Sequence, residues 1–191
     1  MGPQVPQKNI SSQEASPLTS FRQADISRLI ALWFEGQKEA RIFDEVHSSG
    51  VSMLSLTPFL LFDGICEEAM QFYQFCFGGD LTLTRLGNTP MKAQFSPEQH
   101  HKITYALLQS GNVEFSATDW LHPTHQRQLG NTTAMYVTGD SLDELSPIFE
   151  KLREGADQEF LVELREMPFG FYGRLTDRYG VEWYFRGGRK S

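Results

Sequence analysis

Hydrophobic and polar positions become regular from Leu56 onward. Leu56 to Phe62 is apolar but for Thr57, the pattern of a buried strand. Asp63 can cap the helix that follows, and Glu67 and Glu68 suit its positive N-terminal end. Ile65, Ala69, Phe72, Tyr73 and Cys76 fall on one face at helical spacing. Gly78-Gly79 stops the helix, because glycine takes the left-handed conformation cheaply. Leu81, Leu83 and Arg85 continue as a strand, and residues 87–100 read as a loop. Lys102 to Gln109 and Val113 to Thr118 predict two strands around the turn Ser110-Gly111-Asn112. A further loop, 119–131, holds Trp120, His122 and His125.

The same order then recurs. Thr132 to Thr138 alternates as a strand, and Ser141-Leu142-Asp143-Glu144 has the form of a capping box. Leu142, Leu145, Phe149 and Leu152 run at helical spacing to a stop at Gly155. Pro147 removes a backbone donor inside this helix, which predicts a kink or a restart at Ser146. Strands are expected near 159–165, 171–176 and 181–186, with Asp177-Arg178-Tyr179-Gly180 as the last hairpin turn. Strand–helix–strand–strand–strand thus occurs twice within 56–186. Short αβ units joined to hairpins predict an α+β fold and not a doubly wound parallel sheet.

The first 52 residues differ in character. Residues 1–20 are rich in Pro, Gln and Ser, which predicts disorder. A capping-box pattern at Ser20-Phe21-Arg22-Gln23 precedes Ile26, Leu29, Ile30 and Trp33, so 21–35 is expected to be an amphipathic helix. Ile42, Phe43 and Val46 suggest a second short helix ending near Gly50. Residues 32–43 also echo 60–73, and a degenerate copy of the first strand–helix unit is the rival reading. The domain plan is therefore 1–20 disordered, 21–52 a helical extension, and 53–187 a folded domain with modules at about 53–118 and 131–187.

Composition narrows the function classes. The 191 residues are 40% apolar and 21% charged, ordinary for a globular protein with a real core. A formal net charge of -7 argues against nucleic acid or an anionic membrane as partner. No apolar run is long enough to span a bilayer, and the N-terminus lacks a signal-peptide core, so a cytoplasmic location is expected. Cys66 and Cys76, the two cysteines, lie too far apart along one helix to bridge and read as reduced, packed thiols. The 15 phenylalanines suit a ring-rich core or a ring-lined pocket.

Specific residues carry a resemblance. They are Pro58-Phe59-Leu60-Leu61-Phe62-Asp63-Gly64, Glu67-Glu68-Ala69, Phe72-Tyr73, Phe77-Gly78-Gly79, Leu152-Arg153-Glu154-Gly155, Pro168-Phe169-Gly170 and Thr176 to Trp183. Through them residues 53–187 resemble the vicinal-oxygen-chelate superfamily (glyoxalase, bleomycin-resistance and dioxygenase proteins), more narrowly its PhnB-like branch. Phe169-Gly170 stands where that branch has Trp-Gly. The resemblance implies paired βαβββ modules whose curved sheets enclose a cavity, and a homodimer. It places the usual start of such a chain at Met53, making 1–52 an extension or the product of a misread start. Some PhnB-like sequences are labelled methyltransferases, but this chain has no Gly-rich βα turn of the kind that binds S-adenosylmethionine.

Metal-using members of the superfamily have four ligand positions, which the resemblance sets at Pro58, Tyr105, Thr132 or Thr133, and Tyr184. None is His, Asp or Glu, the residues that offer lone pairs to a divalent ion at neutral pH. Glu182, two residues from Tyr184, is the nearest substitute. His122 and His125, with Asp119 nearby, form a weak loop motif, and His100 and His101 are further loop histidines. The expectation is a site with no metal and no cofactor. Its ligand-binding candidates are Tyr105, Trp120, Phe169, Tyr172, Glu182 and Tyr184, and no catalytic residue is assigned. A metal-free small-molecule binder is the leading reading. A metalloenzyme of glyoxalase or dioxygenase type with displaced ligands and a non-catalytic interaction module are the alternatives.

Overall fold

The computed structural model describes residues 56–122, 125–128, 130 and 132–188. The extension expected over 1–52, with its helices and its possible repeat, lies outside the described residues. From Phe59 the element order is β1 (Phe59–Phe62), α1 (Cys66–Phe77), β2 (Asp80–Arg85), β3 (Ile103–Ser110) and β4 (Val113–Asp119). It continues with β5 (Met135–Gly139), α2 (Leu142–Leu152), β6 (Val162–Met167), β7 (Gly170–Thr176) and β8 (Glu182–Gly187). This is βαβββ twice. The two sheets have the orders β1-β4-β3-β2 and β5-β8-β7-β6. In each, the first strand pairs in parallel with the last, and the remaining pairs are antiparallel. Among the described residues no helix is long and apolar enough to cross a membrane.

Strand alternation gives each sheet an inner and an outer face. Ala106, Leu108, Phe115 and Ala117 from the first sheet and Leu175, Trp183 and Phe185 from the second point inward, where α1 and α2 pack. The core is ring-rich: Tyr73 of α1 meets Phe115 at 5.6 Å and Trp183 at 5.5 Å between centroids. Both contacts are edge-on, the geometry the ring quadrupole favours. The modules therefore share one core.

Several local expectations need correction. The apolar run Leu56–Phe62 is not a buried strand. Only Phe62 is buried, while Phe59 and Leu61 are 45% and 38% exposed. An apolar run cannot by itself tell a doubly covered strand from an edge strand on an open sheet. Pro58 precedes β1, where a missing N–H costs nothing, and its carbonyl accepts from Ser116 N at 3.0 Å. The buried stripe of α1 is Cys66, Ala69, Met70, Tyr73 and Cys76; Ile65 is the exposed N-cap residue and Phe72 is half-buried. Asp63 does not cap α1. Asp119, from the end of β4, does so by accepting from Cys66 N at 3.0 Å.

The second helix runs unbroken through Pro147. The N–H that Pro147 lacks would have met the Asp143 carbonyl, and both residues lie on the exposed side, where water can serve that carbonyl. Its Ser141 cap forms as expected, accepting from Glu144 N at 3.3 Å. The Glu144 carboxylate takes Asp140 N instead of closing the box on Ser141. Residues 86–99 are not plain loop but hold three short 3-10 turns.

Candidate functional site

The outer faces of the sheets carry the candidate residues. On the first sheet the outer row set is Phe59 and Leu61 of β1, Ser116 and Thr118 of β4, Tyr105 and Leu107 of β3, and Thr82 and Thr84 of β2, by register. Tyr105 is half-buried, and its hydroxyl accepts from Ser116 Oγ at 3.2 Å. This face is apolar and hydroxylated, with Glu114 and Gln109, bonded to each other at 2.8 Å, at one end.

On the second sheet two cross-strand rows combine tyrosine with arginine. One row is Tyr136–Tyr184–Arg174; the next is Thr138–Arg186–Tyr172–Arg165. Arg174 carries its guanidinium 5.4 Å from the Tyr184 ring and 5.7 Å from Phe160. Arg186 lies 5.1 Å over Phe169, whose ring meets Tyr172 at 6.2 Å. Cation–π contact of this kind holds a guanidinium without neutralising it. Among the described residues none of Arg165, Arg174 and Arg186 forms an ion pair. Arg174 Nε is also the one buried side-chain nitrogen or oxygen there without a hydrogen-bond partner. Glu182, opposite Thr176, is the only carboxylate sharing this face along β7 and β8. A recess of about 500 Å³ opens at its β5 edge, lined by Tyr136, Thr138, Asp140, Glu144 and Arg186 among others.

The structure thus brings together Phe169, Tyr172, Glu182 and Tyr184 and separates them from two other candidates. Tyr105 lies on the outer face of the other sheet. Trp120 follows β4, stacks on His122 at 5.8 Å, and donates its indole N–H to the His125 carbonyl. The arginines of the second sheet went unremarked in the sequence. Alternation within 172–176 and 182–186 held the signal, since Tyr172 and Arg174, and Tyr184 and Arg186, must share a face.

The superfamily's metal positions do not fit a divalent ion. Pro58 has no side-chain donor, Thr132 and Thr133 are exposed hydroxyls ahead of β5, and Tyr105 is engaged by Ser116. Tyr184 lies beneath the Arg174 cation, whose field opposes a second positive charge. His122 and His125 approach closely, Nδ1 to Nδ1 3.2 Å, but among the described residues no three His, Cys, Asp or Glu side chains converge. A recess of about 320 Å³ adjoins them, lined also by Asp63, Lys102 and Arg127. Nor do the residues fit S-adenosylmethionine: the β1–α1 turn has one glycine, Gly64, and the Asp119 carboxylate takes the first α1 amide.

The cysteines are packing. Burial, and then the Asp119 charge, pushes the Cys66 thiol far up, and burial pushes Cys76 up to about 12. Neither is a ready thiolate at neutral pH.

Two βαβββ modules with inward helices and outward sheet faces define the glyoxalase/bleomycin-resistance/dioxygenase fold. Within that class, residues 54–185 match the family described as 3-demethylubiquinone-9 3-methyltransferase, and the chain belongs to that PhnB-like family. It is similar to Protein YjdN of Escherichia coli, 25% identical over 138 residues, spanning 68% of this chain and 92% of YjdN. It is similar in structure to protein PA1353 from Pseudomonas aeruginosa, with TM-score 0.62, 27% identity, and 71% of this chain and 98% of that one covered. The putative 3-demethylubiquinone-9 3-methyltransferase, PhnB protein, from Bacillus cereus gives TM-score 0.54 and 26% identity over 71% of this chain and 100% of that one.

Proposed function

We propose that the protein binds a small, flat organic molecule through aromatic rings, without a metal ion, in a cavity that a second copy completes. The observation that carries this reading is the second sheet's outer face, where Tyr136, Tyr172 and Tyr184 stand in adjacent cross-strand rows. Rings fixed by a sheet give stacking area at little entropic cost. The first sheet offers a complementary lid: Phe59 and Leu61 are exposed apolar side chains on its outer face that a partner would remove from water. In the dimer each cavity lies between the first sheet of one copy and the second sheet of the other. A cytoplasmic location belongs to the same proposal.

The test uses 2-naphthol, a flat uncharged probe, titrated against the full-length protein by calorimetry. One site per chain is expected, lost in Tyr172→Ala and Tyr184→Ala, with sedimentation giving a dimer. Elemental analysis of protein purified without chelator, followed by titration with Zn²⁺, Ni²⁺ and Mn²⁺, is expected to find no stoichiometric metal. Absence of saturable naphthol binding, or one tightly held ion per cavity, would overturn the reading.

A further inference from the structure

The ring face also carries charge, and its sign is opposite to that of the whole chain. The chain has a formal net charge of -7, yet this face holds Arg165, Arg174 and Arg186 against Glu182 in the adjoining row, while Asp140 and Glu144 lie beyond its β5 edge in the recess that Arg186 also lines. Register makes Arg174 the diagonal neighbour of Arg186 across β7 and β8, and such neighbours are about 7–8 Å apart. Three cations that close repel one another, and none is relieved by an ion pair among the described residues. Surface arginines on an acidic protein ordinarily find carboxylates. Here Arg174 and Arg186 find rings, and Arg174 additionally keeps a buried Nε unbonded. Holding a guanidinium on an aromatic face leaves its donor edge available for an oxyanion.

We infer that the ligand is an organic anion. Its carboxylate or phosphate oxygens are bound by Arg174 and Arg186, and its flat apolar part lies against Tyr172 and Tyr184. Carboxylate and phosphate each present a pair of acceptor-only oxygens that matches the planar arginine fork. This inference rests on the reading of the second sheet's outer face as the ligand site, and it adds the ligand's charge and the residues that recognise it. Glu182 sets the polarity of the site. It lies on the side of Arg174 away from Arg186, so the anion belongs between the two arginines, and the ring extends toward Tyr184.

The experiment compares 2-naphthoate with 2-naphthol on the full-length protein, with inorganic phosphate as a competitor. The expected result is naphthoate binding at least about tenfold tighter than naphthol, an increment in keeping with a charge-assisted bond. The preference should weaken as salt is raised. In Arg174→Met and in Arg186→Met the ratio of naphthoate to naphthol affinity, measured on the same variant, should fall to about one. Arg186 is exposed, so its variant keeps the test valid if Arg174→Met fails to fold. Naphthol and naphthoate binding equally well would sink the anion assignment and spare the ring site. Neither binding would sink both. Loss of the dimer in Arg186→Met, with no change in naphthoate affinity, would assign the arginines to an acidic surface of a protein partner and overturn the inference.

Discussion

Tyr73 donates its hydroxyl to Asp177 Oδ2 at 2.8 Å, joining the helix of the first module to the last turn of the second. Trp183 Nε1 donates to the same oxygen at 2.8 Å, while Oδ1 takes the backbone N–H groups of Tyr179 and Val181. The buried carboxylate thus satisfies four donors. The Asp-Arg-Tyr-Gly-Val-Glu-Trp segment reads from this as an internal clamp, the turn and Trp183 being tied through one side chain.

Asp177→Ala leaves all four donors without their partner. An unsatisfied buried donor costs about 1–3 kcal/mol, so the variant should lose at least about 3 kcal/mol by denaturant unfolding. Tyr73→Phe removes one bond and should cost about 1 kcal/mol. Because the two residues act through one contact, their double variant should fall short of the sum. Simple additivity would mean that the modules are not coupled through this bond.

Asp119 plays a similar part within the first module, accepting from Cys66 N at 3.0 Å and from Ile103 N at 2.8 Å. It fastens the start of α1 and the start of β3 to the end of β4. Asp119→Ala should destabilise by about 2 kcal/mol or more, against about 0.5 kcal/mol at most for the exposed Asp63→Ala. Equal effects would return the cap to Asp63.

These two clamps mark the limit of what the sequence made legible. Element order, helix positions and turns were readable because they depend on neighbours in the chain: Gly78 and Gly79 have φ +73 and +81, as a helix stop requires. The cap on α1 was not, because the acceptor comes from a residue 53 positions away. The two modules already set Tyr105 apart from Tyr184, but which cross-strand neighbours surround each ring depends on register, which the sequence does not state. The rings on β7 and β8 were among the candidates, while Arg174 and Arg186 beside them went unremarked.

The buried thiols give stability a dependence on alkaline pH. Burial raises both well above the ordinary thiol value of 9.0, and Tyr73 is likewise raised above 10.0, by burial first and by Asp177 second. A group raised in the folded state contributes stability that is complete below its unfolded value and drains as pH climbs toward its folded value. Stability should thus hold to about pH 9 and then fall, each cysteine adding up to about 1.4 kcal/mol per pH unit. Cys66→Ala with Cys76→Ala should flatten the slope between pH 9 and 10, whatever it does to stability at neutral pH. A slope that survives the double substitution would point to other groups.

Removal of residues 1–52 should leave a folded domain. The matched family region begins at residue 54, and PA1353 is covered over 98% of its length by 71% of this chain. A chain of that size is matched almost end to end by part of this one, which is the ground for expecting the truncated chain to fold. The truncated protein should show cooperative unfolding and retain naphthol binding. Aggregation, or a non-cooperative melt, would move the domain boundary upstream.

Gly170 ties backbone geometry to the ligand face. It follows Phe169, opens β7, and has φ +115, a conformation that L side chains rarely adopt. A Cβ there would lie 2.2 Å from the Gly187 carbonyl oxygen, which is backbone and cannot swing aside. Alanine at this position must push β7 from β8 at the Phe171–Gly187 pair, and it would shift the Phe169 ring from beneath Arg186. Gly170→Ala should therefore cost about 3 kcal/mol or more, combining strain with lost pairing. Gly188, whose Cα would lie 3.2 Å from that Cβ, has open space of its own, and Gly188→Ala should stay within about 0.5 kcal/mol. Denaturant unfolding of the pair is the check. Similar stabilities would mean that the β6–β7 turn does not bring Gly170 against Gly187, and Phe169 would then lose its seat beside Tyr172 and Arg186.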